Sequence, residues 1–175
     1  EENMSFVYEL SKLLKIQKNN FISQANTFKG LPHRFEFFYQ KKSIKFINDS
    51  KATSFEASKL GLQTNKNILW IVGGLPKLKD NFNLNVIKSN VIKSYIIGNH
   101  VNFFAKKFKN KIKFKITKNL KSSLIAIITD IRKYPDKKFT VLFSPASASF
   151  DQFQNFVDRG NKFKKIAKTY AKKYL

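Results

Sequence analysis

The spacing of apolar residues changes along the chain, and each change predicts an element. Phe6, Val7, Leu10, Leu13, Leu14 and Ile16 recur at helical spacing, and a shorter helical stretch follows from about Lys18 to Phe28. The run Gly30-Leu31-Pro32-His33-Arg34 then breaks the pattern as a turn. Phe35 to Tyr39 and Ile44 to Ile47 flank Gln40-Lys41-Lys42-Ser43 and predict two strands in an antiparallel edge hairpin. A helix from about Ser54 to Leu60 follows, with Thr53 and Glu56 at capping-box spacing. Asn67 to Val72 is the most apolar strand segment. Strand Ser94–Ile97, helix Val101–Phe108, strand Ile112–Ile116, helix Leu120–Ile131 and strand Phe139–Phe143 then alternate. A last helix, about Lys162 to Tyr174, puts Phe163, Ile166, Ala167, Tyr170 and Ala171 on one stripe. The expected fold is α/β and Rossmann-like: a mostly parallel six-stranded sheet with an antiparallel edge hairpin and helices on both faces.

Chemistry concentrates where strands end. The strand Phe139–Phe143 runs into Ser144-Pro145-Ala146-Ser147-Ala148-Ser149-Phe150-Asp151-Gln152-Phe153-Gln154-Asn155-Phe156. Ser149 precedes Gln152 by three residues, which predicts a helix starting there. Its free N–H groups and dipole would face the mouth of the sheet and suit a carboxylate or phosphate. Gly73-Gly74, after another strand, would let a ligand or a loop approach the backbone closely. The segment lacks P-loop spacing, as does the rest of the chain.

Composition narrows the function classes. The 175 residues suffice for one α/β domain and a short appendage, and 42% of them are hydrophobic, which argues against disorder. There is no Cys, hence no disulfide framework or thiolate metal site. No apolar run approaches membrane-spanning length and no signal peptide is visible, so a cytoplasmic protein without a membrane partner is expected. The net charge of +23 raises nucleic acid as an alternative partner. However, only Arg34, Arg132 and Arg159 are arginines, and arginine is the usual residue for bidentate phosphate and base contacts. Lys106 to Lys118 interleaves seven lysines with Phe108, Ile112, Phe114 and Ile116. A stacking platform looks somewhat like this, but a lysine-guarded edge strand does so more simply. The lysines are therefore read as a solvated surface, with no nucleic-acid partner.

The stretch from Ser144 to Phe156, continued by Asp158-Arg159-Gly160, resembles the SPA-x-AS-x-DQF-x-NF-x-x-RG signature of the bacterial UDP-N-acetylmuramoyl-L-alanine–D-glutamate ligases, a branch of the Mur ligases. Three more segments resemble the same family. They are Gly30-Leu31-Pro32-His33-Arg34, Asn48-Asp49-Ser50-Lys51-Ala52-Thr53, and Gly73-Gly74 with Lys77 and Asp80. The corresponding segments of the L-alanine-adding and diamino-acid-adding branches do not occur. The resemblance implies that residues 1–29 are the helical tail of a central ATPase domain and residues 30–175 a C-terminal, amino-acid-binding domain. It implies D-glutamate contacts at Thr53, Lys77, Ser149 and the backbone of Phe156. It puts His33, Arg34, Asp49 and Lys51 on the nucleotide side, with Lys51 and Arg34 serving catalysis. ATP and Mg2+ would act in the full-length enzyme, with neither bound by this chain alone and no metal site in it. UDP-N-acetylmuramoyl-L-alanine and ATP would be partners through domains not present here, and a monomer without turnover of its own is expected.

Overall fold

A computed structural model describes residues 2–28, 30–77 and 79–175. Glu1, Leu78 and Lys29, the last being the expected domain boundary, lie outside the described residues. The chain divides into two compact units, Glu1–Leu31 and Pro32–Leu175. The first is a pair of helices, α1 (Glu2–Leu13) and α2 (Lys18–Thr27), with the Tyr8 and Phe21 rings 5.1 Å apart.

The second unit is built on one six-stranded sheet: β1 (Glu36–Lys41), β2 (Ile44–Asn48), β3 (Ile68–Gly73), β4 (Val91–Ile97), β5 (Phe114–Lys118) and β6 (Phe139–Phe143). The strand order is β1-β2-β6-β3-β4-β5, and only the β1–β2 pair is antiparallel. The expected architecture is therefore observed, with β1 of the hairpin and β5 as the two edge strands. The chain leaves β3 for β4 and β5, then returns to insert β6 between β2 and β3. Such a reversal opens a crevice at the carboxyl ends of the parallel strands.

Period-two alternation fills both faces. In β3, Leu69 and Ile71 enter one core, while Ile68, Trp70 and Val72 enter the other. The first core is covered by α5 (Leu120–Ile131) and α6 (Phe156–Tyr174), through Leu124, Ile127, Phe163 and Ala167. The second is covered by α3 (Phe55–Thr64) and α4 (Val101–Phe108), through Phe55, Leu62, Phe104 and Phe108.

Two expected helix starts are corrected. Thr53 does not cap α3; Ser54 does, accepting the N–H of Ala57 at 3.3 Å. No helix starts at Ser149 either. Helix α6 begins at Phe156, where the Asn155 side chain accepts from the N–H groups of Val157 and Asp158, both at 2.9 Å. At Ser149 only a turn forms, its carbonyl accepting from the N–H groups of Gln152 and Phe153. The side chains of Asp151 and Gln152 are drawn instead to neighbouring loops, so the turn does not propagate.

Candidate functional site

The segment from Ser144 to Asn155 is a strap across the carboxyl ends of the strands. The N–H of Gly73 donates to Pro145 O at 2.9 Å, and Leu75 and Ala148 exchange two backbone bonds of 3.0 Å. Asp151 Oδ2 accepts from Asn99 N at 3.0 Å, and Gln152 Nε2 donates to the Lys118 carbonyl at 2.9 Å. The strap is thus fastened to the loops after β3, β4 and β5. These fastenings explain Gly74. With a φ of 137°, its missing side chain leaves space into which the strap fits, and a Cβ there would lie 2.4 Å from Ala148 O. The close approach allowed by the glycine pair is made by the chain's own loop.

The loop after β2 is fastened to the strap from the other side. Asp49 N donates to Phe143 O at 2.7 Å, and its carboxylate accepts from Ser144 Oγ at 2.7 Å and from Phe35 N at 3.0 Å. Burial pushes the Asp49 carboxyl up to about 6, against the pull of those two donors and of Arg34. Ser50 Oγ donates to the Phe156 carbonyl at 2.8 Å, and Lys51 Nζ lies 4.3 Å from the centre of the Phe156 ring. Further on, Asp80 Oδ2 accepts from Phe55 N at 2.6 Å. The Lys77 segment is thus tied at Asp80 to the start of α3, two residues after Thr53. At Leu75 it is tied to Ala148, next to Ser149.

The turn ahead of β1 is unusual backbone. His33 and Phe35 both have positive φ, 64° and 47°. Such conformations persist only where the surroundings impose them. Here Lys51 N donates to His33 O, Phe35 N is held by Asp49, and His33 N donates to Glu36 Oε2 at 3.0 Å. The His33 ring is buried, with its Nδ1 2.8 Å from Asn48 Nδ2. The amide is the donor there, so Nδ1 accepts and the ring proton is on Nε2. Burial, aided by Lys164 and opposed by Glu36, lowers the pKa of His33 below its ordinary value and keeps the ring neutral. A Cβ on Gly160 would collide with this ring.

The residues expected to bind fall into two sets. Arg34, Asp49 and Lys51 line one cleft of about 220 Å3, together with Phe35, Ala57 and Leu60. His33 is not on that wall; it is packed behind it against Asn48 and Gly160. Thr53 is half-buried, Lys77 exposed, Ser149 buried and Phe156 half-buried, on loops joined by the fastenings above. Asn155 takes the next two N–H groups of α6, while the Phe156 N–H at its tip has no partner among the described residues.

Sequence reasoning passed over Arg159. Its side chain is wholly buried, and among the described residues no ion pair includes it. Nε donates to Ser50 Oγ at 3.1 Å, Nη2 to Ser50 O at 2.7 Å and Nη1 to Ser147 O at 3.0 Å. Burial pushes its pKa down to about 10. The available signal was chemical: one of three arginines in a lysine-rich chain, where a buried planar fork is called for.

Of the apolar residues interleaved with the lysines of 106–118, Phe108 and Ile112 are buried, Phe114 packs against the core and Ile116 is exposed. No described helix is long and apolar enough to cross a membrane.

The fold is that of a Mur ligase domain. The chain superposes on MurF from Acinetobacter baumannii with a TM-score of 0.61 over 93% of its length and 36% of that chain, at 15% identity. No family model matches. Curated relatives go further. The chain is 36% identical over 162 residues to a UDP-N-acetylmuramoylalanine–D-glutamate ligase from Wolbachia sp. subsp. Brugia malayi, covering 93% of this chain and 32% of the relative. It is 36% identical over 171 residues to that of Trichodesmium erythraeum, covering 95% and 37%. For Rickettsia felis the figures are 30% over 170 residues, covering 97% and 38%. Over nearly its whole length the chain is similar to UDP-N-acetylmuramoylalanine–D-glutamate ligases, and it spans about a third of the length of these relatives.

Proposed function

We propose that the chain is the C-terminal, amino-acid-binding part of an ATP-dependent ligase that adds D-glutamate to UDP-N-acetylmuramoyl-L-alanine through an acyl phosphate. Residues 1–29 are then the tail of the central ATPase domain, and the cell compartment is the cytoplasm. A dianionic amino acid needs two separated sites rich in positive charge or N–H groups. Lys77 and Thr53 serve the side-chain carboxylate. Ser149 and the N–H of Phe156 serve the α-carboxylate. The observation that carries this reading is the double tie of the Lys77 segment, to α3 through Asp80 and to the strap through Leu75.

Holding the amine beside an activated carboxyl is proximity catalysis, able to supply roughly 7 kcal/mol when alignment is good. Arg34 and Lys51, on the wall of the neighbouring cleft, face the negative charge that builds on a transferred phosphoryl group. Asp49 and His33 hold that wall in shape. Magnesium would neutralise phosphate charge in a complete enzyme. The described residues contain no group of three His, Cys, Asp or Glu side chains able to hold a metal, and the roles above are those of this chain's residues alone.

Calorimetry of D-glutamate with the wild-type chain and with Lys77→Met and Thr53→Val tests the reading. Weak binding is expected, loosened roughly tenfold in Lys77→Met by loss of a charged partner, and unchanged in the control Lys107→Met. Equal affinity in all variants would overturn it, as would tight, salt-sensitive binding of oligonucleotides instead.

A further inference from the structure

We propose that Arg159 is a positioning residue that fixes the separation of the two carboxylate pockets and thereby the length of amino acid the rim accepts. This deepens the reading above and rests on it for the identity of the ligand. Arg159 projects from the first turn of α6 beneath the rim. Its fork grips the loop after β2 twice, at Ser50, and the strap once, at Ser147. Nη1 also closes on the third loop, where a Cβ on Gly74 would be 3.3 Å away. The loops that carry Thr53 and Ser149 are therefore bonded to one rigid guanidinium, which also lies beside Gly74 in the loop that carries Lys77 and sits on the same helix as Phe156. The partners are 109 and 12 residues away in sequence, so no local interaction does the same work.

A buried cation is costly to desolvate, and among the described residues no salt bridge includes Arg159, although the charge of Asp151 acts on it. Such a group is expected where geometry, rather than stability alone, depends on it. A lysine would keep the charge but could not span Ser50 and Ser147 together, because an ammonium is a point donor and not a fork.

Hydrogen exchange and ligand selectivity of the full chain test the proposal. In Arg159→Lys the amides of Lys51, Leu75 and Ala148 should exchange roughly tenfold faster together, the scale of one lost charge-assisted bond. Amides of β3 should keep their protection. The wild-type chain should prefer D-glutamate to the shorter D-aspartate by roughly tenfold, the worth of one methylene. The ratio should collapse toward one in Arg159→Lys, whereas simple destabilisation would weaken both ligands equally. If Arg159→Lys does not fold, exchange at Leu75 and Ala148 in Ser50→Ala decides, because that variant keeps the guanidinium and removes one of its acceptors, and its other lost bond, to the Phe156 carbonyl, touches neither amide. Unchanged exchange at the three loop amides, or an unchanged selectivity ratio in a folded variant, would overturn the proposal. A wild-type chain that binds no D-glutamate would refute the ligand assignment, while the exchange result would still judge the role of Arg159.

Discussion

The two units treat apolar residues in opposite ways. Helix α2 has no buried residue, and Phe6 and Leu13 of α1 are 73% and 80% exposed. In β3 all six residues are buried. Both stretches announce their element in sequence, α1 by helical spacing of apolar residues and β3 by an unbroken apolar run. The comparison teaches that periodicity predicts the kind of element, while burial depends on what is available to cover its face. The helices of the first unit are 12 and 10 residues long, a length at which isolated helices are marginal in water. Among its described residues the Pro32–Leu175 unit has four α-helices over one sheet, and they close both of its cores.

The largest effect that would sharpen the contrast is at Trp70. It is fully buried, and its indole N–H donates to the Ser144 carbonyl at 2.7 Å, at the root of the strap. Trp70→Ala should cost about 3–5 kcal/mol in chemical denaturation, and a loss below about 1 kcal/mol would mean the core is not packed as described. Next is Gly74→Ala. Its positive φ and the clash with Ala148 O predict a loss of about 2–3 kcal/mol by the same measurement. Loosening of the strap should accompany it, seen as faster exchange at Ala148.

A third test uses pH. Asp49 titrates near 6 in the folded chain, above its ordinary value of 3.8, because burial disfavours its charge. The folded state therefore keeps a proton that the unfolded chain releases earlier. This contribution to stability is present below pH 4 and is lost as pH rises to about 6, by up to about 3 kcal/mol. His33, lowered in the folded state, acts in the opposite direction, so the wild-type curve alone does not isolate Asp49. The stability of wild type minus that of Asp49→Asn should fall steadily from pH 4 to pH 6, to the disadvantage of wild type, and a difference that stays flat would contradict the burial of this carboxyl. The smallest effect is expected in the first unit. Phe6→Ser should change stability by less than about 0.5 kcal/mol, and a larger loss would show that this face is covered after all.

Much of the fold was legible because α/β alternation is written in the apolar period. Helices α4 and α5 and strand β6 fall on their expected residues. The helix starts at Thr53 and Ser149 were misread for one reason. Capping-box spacing is a local signal, and tertiary bonds from Asp80 to Phe55 and from Asp151 to Asn99 decide where those loops go. In the site, the residues on the cleft wall carried a family resemblance in their letters. So did His33 and Arg159 beneath them, but letters alone do not say which residues line the cleft and which support it. His33 is buried behind the wall. The partners of Arg159 are far away in the chain. Contacts at such separation leave no spacing rule to read.

The central claim is that loops on one sheet rim grip an acidic amino acid at both ends. An amide-resolved NMR titration of the 175-residue chain with D-glutamate tests it most directly. Saturable shifts should appear together at Thr53, Lys77, Ser149 and Phe156, and the lysine-rich edge around β5 should remain silent. Shifts confined to Lys106–Lys118, or none at the rim up to high ligand concentration, would contradict it.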